Sequence, residues 1–281
     1  MFLEDNIEEH AVEKMCKVLE VSRSSYYKRR KKEKGKRFKE NKELLEKIKE
    51  VFSSSKERYG SPRVTAELKR QGINCNKKRI ARLMNKNGIA ARMFRKYRNT
   101  TNSNHRHERC ENILSREFSR QRRNEVWTSD ITYIRTDEGW LYLAAVIDIY
   151  SRKVIGWQLD KNLNSDLVER ALENALMDRQ VGSGIIFHSD QGIQYASESF
   201  RKLLKANGFI QSMSRRGNCY DNAITETFFH TLKTELTNRT KYRTREEARR
   251  SIFEYIEIFY NRQRLHSAIG YRSPVEYEKL T

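Results

Sequence analysis

Several features that would place this chain in a common protein class are missing from its sequence. No apolar run approaches the ~20 residues that a membrane-spanning helix needs, so we expect no membrane partner. The N-terminal stretch MFLEDNIEEH is acidic and has no apolar signal-peptide region, which argues against secretion. The four cysteines are scattered without a CxxC pair, which indicates reduced intracellular thiols rather than a disulfide framework. These absences predict a cytoplasmic protein.

One short segment, HRHERC, raises the question of a zinc site. His105, His107 and Cys110 fall within this segment. A structural zinc site usually takes its fourth ligand from a second nearby cluster, and the sequence offers none. We therefore favour a solvated linker here and keep a zinc site as the alternative.

The excess of positive charge is confined to the first half of the chain. The net charge is +20, with 37% hydrophobic and 33% charged residues. Residues 1–124 contain 35 Lys+Arg and 16 Asp+Glu, which gives +19, whereas residues 125–281 contain 22 and 21, which gives +1. A basic half joined to a nearly neutral half indicates a front part that grips a polyanion and a separate back part.

The first 39 residues predict a small helical region followed by a basic tether. Residues 7–32 have the spacing of two short helices, the second of them basic, as in a helix-turn-helix; a solvated amphipathic hairpin is the alternative. In residues 28–39, KRRKKEKGKRFK, nine of twelve residues are basic, so we expect a flexible tether that contacts DNA phosphates. The candidate DNA-binding residues are Arg23, Arg29 and Arg30.

A second helix-turn-helix is predicted over residues 40–91. Ser61 and Pro62 mark the start of one helix, with Ser61 as its cap, and Gly88 ends the helix formed by NKKRIARLMNKNG. Two such regions in tandem beside a basic tether favour DNA binding. The candidate contacts are Arg63, Lys78, Arg79 and Arg82. Residues 92–124 follow as a basic linker with little apolar periodicity.

From residue 125 onwards, the pattern of apolar and polar residues is that of an α/β domain. Three β-rich stretches follow one another, and the second, GWLYLAAVIDIYS, is apolar on both faces and should be the central strand. The order β-β-β-α-β-α-β-α-α then predicts a mixed five-stranded sheet covered by helices. We assign the core to residues 125–237 and a C-terminal helical extension to residues 238–281.

Three acidic residues stand apart from the surface charge of this core. Asp130 lies in an otherwise uncharged strand, Asp190 ends the fourth strand, and Glu226 lies 36 positions further on, on a helix. Lys233 follows Glu226 by seven residues and should project from the same face. Carboxylates that converge would repel each other unless cations neutralised them, and two Mg²⁺ ions could then act on a phosphodiester. The alternative is that the acids are simply hydrogen-bonded.

Four motifs together resemble a known family. WTSDITYI, HSDQGIQY, GNCYDNAITETFFHTLKTEL and YNRQRLHSAIGYRSPVEYEKL are similar, in this order, to the second-reading-frame product of bacterial insertion-sequence transposases of family three, whose catalytic core is shared with retroviral integrases. The likeness covers nearly the whole chain, including YGSPRV in the helical region. One small departure is Thr227, where the family more usually has Ser.

The resemblance carries specific expectations. It implies a ribonuclease H-like fold, the acid triad Asp130, Asp190 and Glu226 as catalytic metal ligands, and Lys233 as the basic residue that holds DNA. Asn222 matches a family motif residue at the mouth of the site and is a candidate DNA contact. His188 should face the same side as Asp190 and either contacts DNA or packs. The cofactor would be two Mg²⁺ ions, which Mn²⁺ can replace.

The implied reaction is cleavage at the 3′ ends of the element and transfer of those ends to target DNA. Paired ends imply a homo-oligomer on double-stranded DNA, associated with the bacterial nucleoid. An upstream reading frame in this family commonly supplies another helix-turn-helix and a leucine zipper, and this chain has no sustained heptads. An upstream-frame partner, or a frameshift fusion with it, is therefore a further expectation.

Two other functions remain open from the sequence. One is a DNA-binding regulator without catalysis, descended from a transposase. The other is a structure-specific nuclease of the same fold that acts on RNA–DNA hybrids or junctions. The unbroken acid triad argues against the first, and the tandem basic helical regions argue against the second.

Overall fold

The computed structural model describes residues 2–30, 36–91, 110–215 and 219–280. The chain divides into two compact units, Met1–Ala91 and Arg92–Thr281. The described part of the first unit is helical, and the second unit combines one sheet with helices. Within the described ranges, every helix is too short or too polar to cross a membrane.

The first unit contains six helices in its described residues. Helices α4, α5 and α6 pack on one another around Ile48, Val64, Leu68 and Ile80, which are fully buried. Helix α5 begins one residue earlier than predicted, because Gly60 takes the N-cap position and Ser61 is already helical. The helices are α1 Phe2–Asp5, α2 Val12–Val18, α3 Arg23–Arg30, α4 Lys36–Ser54, α5 Ser61–Arg70 and α6 Lys77–Lys86.

The second unit is built on a five-stranded mixed sheet in the order β3-β2-β1-β4-β5. The first three strands form an antiparallel meander, and β4 and β5 add in parallel to β1 and β4. The strands are β1 Val126–Thr136, β2 Gly139–Asp148, β3 Val154–Asp160, β4 Ile186–Ser189 and β5 Ile210–Met213.

The prediction that the second strand is the central one was wrong. Strand β2 is interior and apolar because both its faces are covered, but the middle of the sheet is β1. Strand β1 pairs on one side with β2 and on the other with β4, so it joins the antiparallel half to the parallel half. Its residues therefore lie where the two halves meet.

Helices cover both faces of the sheet. On one face, α7 Ser165–Met177 and α8 Glu198–Ala206 bury a core that includes Trp127, Leu172 and Phe187. Strand β3 approaches α7 so closely that a Cβ at Gly156 would lie 2.3 Å from the carbonyl oxygen of Ala171. This contact requires glycine.

The two longer C-terminal helices change from α-helical to π-helical geometry along their length. A 3₁₀ turn, Cys219–Asn222, precedes α9 Ala223–Leu232, which continues as the π-helical turn Lys233–Thr237. Helix α10 Arg245–Phe253 continues in the same way as the π-helical segment Glu254–Tyr260, and the short α11 Pro274–Glu278 follows. Such π-helical insertions are often found at functional sites.

Two side chains of the motif YNRQRLH attach the C-terminal part to the rest of the unit. The Asn261 amide bonds both backbone groups of Val154 in β3, with distances of 3.0 and 2.9 Å, and so pairs with the edge strand. Arg264 forms a buried ion pair with Glu235 of the first π-helical turn, with Nη2 and Oε1 2.8 Å apart. These contacts explain why the extension packs as part of the core.

Candidate active site

The pairing of β1 with β4 brings two of the predicted acids to the same edge of the sheet. Thr128 of β1 pairs with His188 of the parallel strand β4. Asp130 and Asp190 each lie two residues further along, just beyond the last paired positions, so both reach the same edge of the sheet. Burial raises the pKa of the Asp130 carboxyl well above its usual range, and the neighbouring Asp190 raises it further. The Asp130 carboxylate accepts a hydrogen bond from the backbone N–H of Ile131 at 2.7 Å, which opposes this rise.

Asp190 is held by a tight turn directly after β4. Its Oδ1 accepts a hydrogen bond from the backbone N–H of Gly192 at 2.9 Å. A Cβ at Gly192 would lie only 2.9 Å from the same oxygen, so a larger residue would push the carboxylate away. The glycine in HSDQGIQY therefore allows Asp190 to fold back against its own loop and fixes the direction of the carboxylate.

Glu226 and Lys233 approach the same carboxylate from the C-terminal helices. Glu226 lies in the first turn of α9 and is close enough to Asp130 to raise its pKa. Lys233, at the start of the π-helical turn, acts on Asp130 in the opposite direction. Burial lowers the pKa of the Lys233 ammonium, and Asp130 opposes that shift. All four predicted residues thus act on one small region.

The donor set fits a hard divalent cation in its chemistry. Three carboxylates supply the oxygen ligands that Mg²⁺ prefers, and a divalent charge would relieve the repulsion that raises the pKa of Asp130. Among the described residues, no three His, Cys, Asp or Glu side chains are grouped closely enough to hold a metal ion. The acids therefore influence one another electrostatically without forming a closed ligand cage.

Asn222 and His188 do not lie where a DNA contact would require them. Asn222 is buried; its Oδ1 accepts a hydrogen bond from Thr128 at 2.5 Å, and its Nδ2 donates one to the backbone oxygen of Ser129 at 3.2 Å. His188 is fully buried with Nδ1 2.9 Å from Ser212 Oγ, and burial lowers its pKa to about 4. The predicted DNA contacts are corrected accordingly. Asn222 attaches the start of α9 to β1, and His188 packs as a neutral ring.

A fourth acid, Asp221, was not singled out by the sequence although it precedes Asn222 in the same motif. It is fully buried, and Arg215 grips it with Nε and Nη2 at 2.9 and 3.0 Å. Arg116 Nε and Asn112 Nδ2 donate to it at 2.8 and 2.9 Å. These partners, Arg215 first, hold the pKa of Asp221 well below its usual range despite its burial. Asp221 thus ties the segment around Asn112 and the exit of β5 to the start of α9.

Comparisons with known proteins assign this arrangement to a family. Two family models, each described as an integrase core domain, match residues 120–219 and 226–281, and a model of an HTH-like domain matches residues 39–97. The chain is 39% identical over 282 residues to the transposase InsF of insertion sequence IS3A from Escherichia coli (strain K12), covering 99% of this chain and 97% of that protein. The chain belongs to the IS3 transposase family.

Other relatives and solved structures resemble the chain to different degrees. An uncharacterized 31 kDa protein of insertion element IS600 from Shigella sonnei is 40% identical over 265 residues, which is 94% of this chain and 97% of that one. The simian T-cell lymphotropic virus intasome in complex with PP2A regulatory subunit B56 gamma has a TM-score of 0.48 at 14% identity, over 82% of this chain and 74% of that chain. The HTLV-2 integrase catalytic core with magnesium, in its trimeric form, has a TM-score of 0.44 at 14% identity, over 56% and 97%. The last two likenesses are too distant to carry an argument.

Membership in the IS3 transposase family confirms the predicted family, fold class and function. The second unit is an integrase core with a mixed five-stranded sheet, and the chain is a DNA transposase, a polynucleotidyl transferase. The HTH-like match also agrees with the helical first unit and with DNA binding.

Some of the candidate DNA-binding side chains of the transposase are exposed, and others bond within the protein. Lys78 and Arg82 of α6 are exposed. Arg79 instead reaches α4, where its Nε donates to Asn41 at 2.8 Å and its Nη2 lies 3.3 Å from Glu40. Arg63 stacks over the Tyr59 ring at 5.9 Å. These bonds of Arg79 explain why its side chain points towards α4, whereas Lys78 and Arg82 are exposed.

Other predicted features of the transposase fall at the limits of the described residues. Arg23 of α3 is exposed and pairs with Glu13 at 2.6 Å. The side chains of Arg29 and Arg30, and much of the predicted tether, lie outside the described residues. So do His105 and His107, whereas Cys110 is described and donates to Gln211 Oε1 at 3.3 Å. The zinc alternative stays untested.

Proposed function

We propose that this transposase cleaves the 3′ ends of its insertion sequence and joins them to target DNA, with Asp130, Asp190 and Glu226 as its catalytic acids. The observation that carries the proposal is the electrostatic environment of Asp130, which is raised in pKa by burial and by both other acids. Half-buried carboxylates that repel one another at a sheet edge are unfavourable for stability and are typical of sites whose ligand supplies the missing charge.

The cofactor we propose is a pair of Mg²⁺ ions, which Mn²⁺ can replace. The three acids would hold the ions through their carboxylate oxygens. When bound, such ions lower the pKa of an attacking water or 3′-hydroxyl and stabilise the leaving oxygen of the phosphodiester. The chain itself places the acids: β1 and the Gly192 turn position the two aspartates, and the Asn222 bonds position α9 with Glu226.

Lys233 is proposed to hold a DNA phosphate beside the acids. Its ammonium is half-buried and acts on Asp130, so it lies at the site. Its pKa is lowered by burial, yet Asp130 favours the charged form, which is the form that binds phosphate. Lys233 would thereby orient the strand that carries the reacting phosphodiester.

The other parts of the chain are proposed to deliver DNA to this site. We assign DNA binding to residues 1–39 and 40–91, with Lys78 and Arg82 on the exposed face of α6, and a basic linker to residues 92–124. The catalytic core then covers residues 125–237, and residues 238–281 are its C-terminal extension. A helix-turn-helix places its second helix on the duplex. In this unit α6 is the second helix of the α5–α6 pair.

The working form is proposed to be a homo-oligomer on paired element ends. An upstream-frame helix-turn-helix and leucine-zipper protein, alone or as a frameshift fusion, would add recognition of the terminal repeats. Because its substrate is bacterial DNA, the protein would act in the cytoplasm at the nucleoid.

The test is nicking of a plasmid that carries the gene with its native flanking DNA, in the presence of Mg²⁺. Glu226→Gln should abolish nicks at both flanks and leave DNA affinity unchanged, because it removes a ligand charge without changing the shape of the side chain. Glu173→Gln is the matched control, since Glu173 is an exposed glutamate on α7. The proposal is wrong if Glu226→Gln still nicks, or if it loses DNA affinity as strongly as it loses nicking.

A further inference from the structure

The β1–β2 hairpin extends beyond β4, the strand that ends just before Asp190. Strand β4 pairs with β1 only as far as Thr128, whereas β1 continues to Thr136 and remains paired with β2 throughout. The tip of the hairpin therefore projects past the edge of the sheet at which the catalytic acids lie. Residues 241–245 contact the turn of this hairpin, and its strands beyond β4 lie next to the edge that carries the acids.

One face of this projection is aromatic. Tyr133 and Tyr142 lie directly opposite each other, and so do Arg135 and Trp140. The Tyr133 ring packs edge-on against Tyr142, with centroids 5.1 Å apart, and against Trp140, with centroids 6.2 Å apart. Trp140 remains 51% exposed. Cross-strand aromatic pairs stabilise a hairpin, but Tyr133 and Tyr142 alone would serve that purpose.

The aromatic face is close to the catalytic acids. Partial burial raises the pKa of the Tyr133 phenol, and Tyr142, Asp190 and Asp130 raise it further. Tyr133 follows Asp130 by three residues on β1, which is about 10 Å along the strand. Its ring projects from the opposite face of β1 to the Asp130 side chain, at the part of the strand that β4 leaves uncovered, and both aspartates still act on its hydroxyl. The cluster is therefore beside the site rather than on a remote surface.

The charges at the hairpin tip are arranged to tolerate a polyanion. The carboxylate of Asp137 pairs with Lys241, with Oδ2 and Nζ 3.5 Å apart. Glu138 accepts a hydrogen bond from the backbone N–H of Arg245 at 2.8 Å, and the Arg245 side chain donates to the backbone oxygen of Trp140 at 3.2 Å. Both tip acids thus have cationic or N–H partners, while Arg135 is exposed beside Trp140.

We propose that Tyr133, Tyr142 and Trp140 form a stacking platform for an unpaired nucleobase of the DNA strand that enters the active site, with Arg135 at its phosphate. Aromatic side chains hold unpaired bases by stacking without reading their sequence, and a nearby guanidinium adds charge. The platform would keep a strand frayed at the element end from re-pairing while the acids act on its neighbour. This inference rests on the proposed function, because the acids define where the strand lies.

The test compares binding of the full-length protein to two DNA duplexes without divalent cations. One duplex carries a single-stranded overhang with a fluorescent adenine analogue, and the other has the same sequence but is blunt. Wild type should prefer the overhang by about tenfold, the size expected for one stacked base. Trp140→Ala should lose this preference and Trp140→Phe should keep most of it. Phe253→Ala, which removes a side chain that is 52% exposed elsewhere in the unit, should change nothing.

Tryptophan fluorescence provides a second readout. The chain has three tryptophans. Trp127 is fully buried, and Trp157 donates to Glu257 at 2.7 Å, so overhang DNA should quench mainly Trp140. The quenching should disappear in Trp140→Phe although binding persists.

Two results would overturn the platform: a preference for the overhang that survives in Trp140→Ala, or an equal loss of affinity for both duplexes. Because this binding needs no catalysis, it separates the two proposals. A Glu226→Gln protein that still nicks DNA would disprove the acid triad, whereas the overhang comparison would still decide whether a base stacks on Trp140.

Discussion

Asp130 and Asp221 are two aspartates of one core whose surroundings are opposite. Asp221 is fully buried and receives hydrogen bonds from Arg215, Arg116 and Asn112, so its pKa is low. Burial raises the pKa of Asp130 well above its usual range, and the neighbouring Asp190 and Glu226 raise it further. The charge of Asp221 is satisfied within the protein and stabilises the fold. At Asp130 the N–H of Ile131 and the charge of Lys233 only oppose the rise in pKa, which is typical of a residue that binds a ligand.

The largest expected effect is on catalysis. Asp130→Asn should reduce cleavage of the element ends by on the order of 10³-fold, because it removes a proposed metal ligand. The same change should leave the midpoint of thermal unfolding unchanged or raise it, since it removes repulsion with Asp190. Cleavage assays and calorimetry on one preparation check both. Loss of stability together with activity would mean that Asp130 is structural.

The opposite result is expected at the other aspartate. Asp221→Asn should lower the free energy of unfolding by about 2 kcal/mol, because Arg215 and Arg116 lose their anion. The expected loss is smaller than for a fully buried ion pair, since the two arginine side chains are 59% and 44% exposed. Cleavage should fall by about tenfold through the displaced start of α9. Urea unfolding measures the first effect, with Asp166→Asn of the exposed pair with Arg170 as the control. An unchanged stability would mean that the ion pairs of Asp221 do not stabilise the fold.

A smaller effect is expected in the pH dependence of stability in metal-free protein. The raised pKa of Asp130 means that the folded state holds its proton more tightly than the unfolded state does. Its contribution to stability is therefore present below the usual aspartate pKa of about 3.9 and is lost as the pH rises through the folded value. The lowered pKa of Asp221 acts in the reverse direction, and its contribution is lost as the pH falls below about 3.9. Unfolding curves at several pH values give the free energy of unfolding as a function of pH. Asp130→Asn should remove the decrease with rising pH, and Asp221→Asn should remove the decrease with falling pH. The same pH dependence in both variants would refute these opposite pKa shifts.

The smallest expected effect concerns two basic residues of the first unit, Lys78 and Arg79. Lys78 is exposed, whereas Arg79 bonds within the unit. Lys78→Ala should weaken nonspecific DNA binding by a few-fold and reduce the slope of log affinity against log salt by about 1. Arg79→Ala should instead lower the stability of this unit by about 1 kcal/mol, because its bonds to Asn41 and Glu40 are lost. Titrations at several salt concentrations distinguish the two. Equal salt slopes for both variants would remove the distinction.

Local chemistry explains why parts of the fold were predictable. The strands at VWTSDITYI and IIFHSD and the helix stripes of α4 to α7 follow from apolar periodicity, which each segment carries by itself. The π-helical turns at Lys233 and Glu254 carry no such local signal, because they depend on packing against the sheet and on the pair of Glu235 with Arg264. The position of β1 at the centre likewise depends on which strands pair, since apolar content alone favoured β2.

The sequence by itself determined the order of elements, the family and the residues on which to expect the chemistry. The positions of Asp130, Asp190 and Glu226 in the strand and helix pattern, together with the family motifs, predicted them as the acids. Only the tertiary structure decided the roles of their neighbours. Asn222 and His188 turned out to be internal, and Asp221 to be the anchor of α9. The aromatic face of the β1–β2 hairpin lies beside the acids only after folding. The physical reason is that a side chain's type is local, whereas its burial and its partners are set by residues that are distant in sequence and adjacent in space.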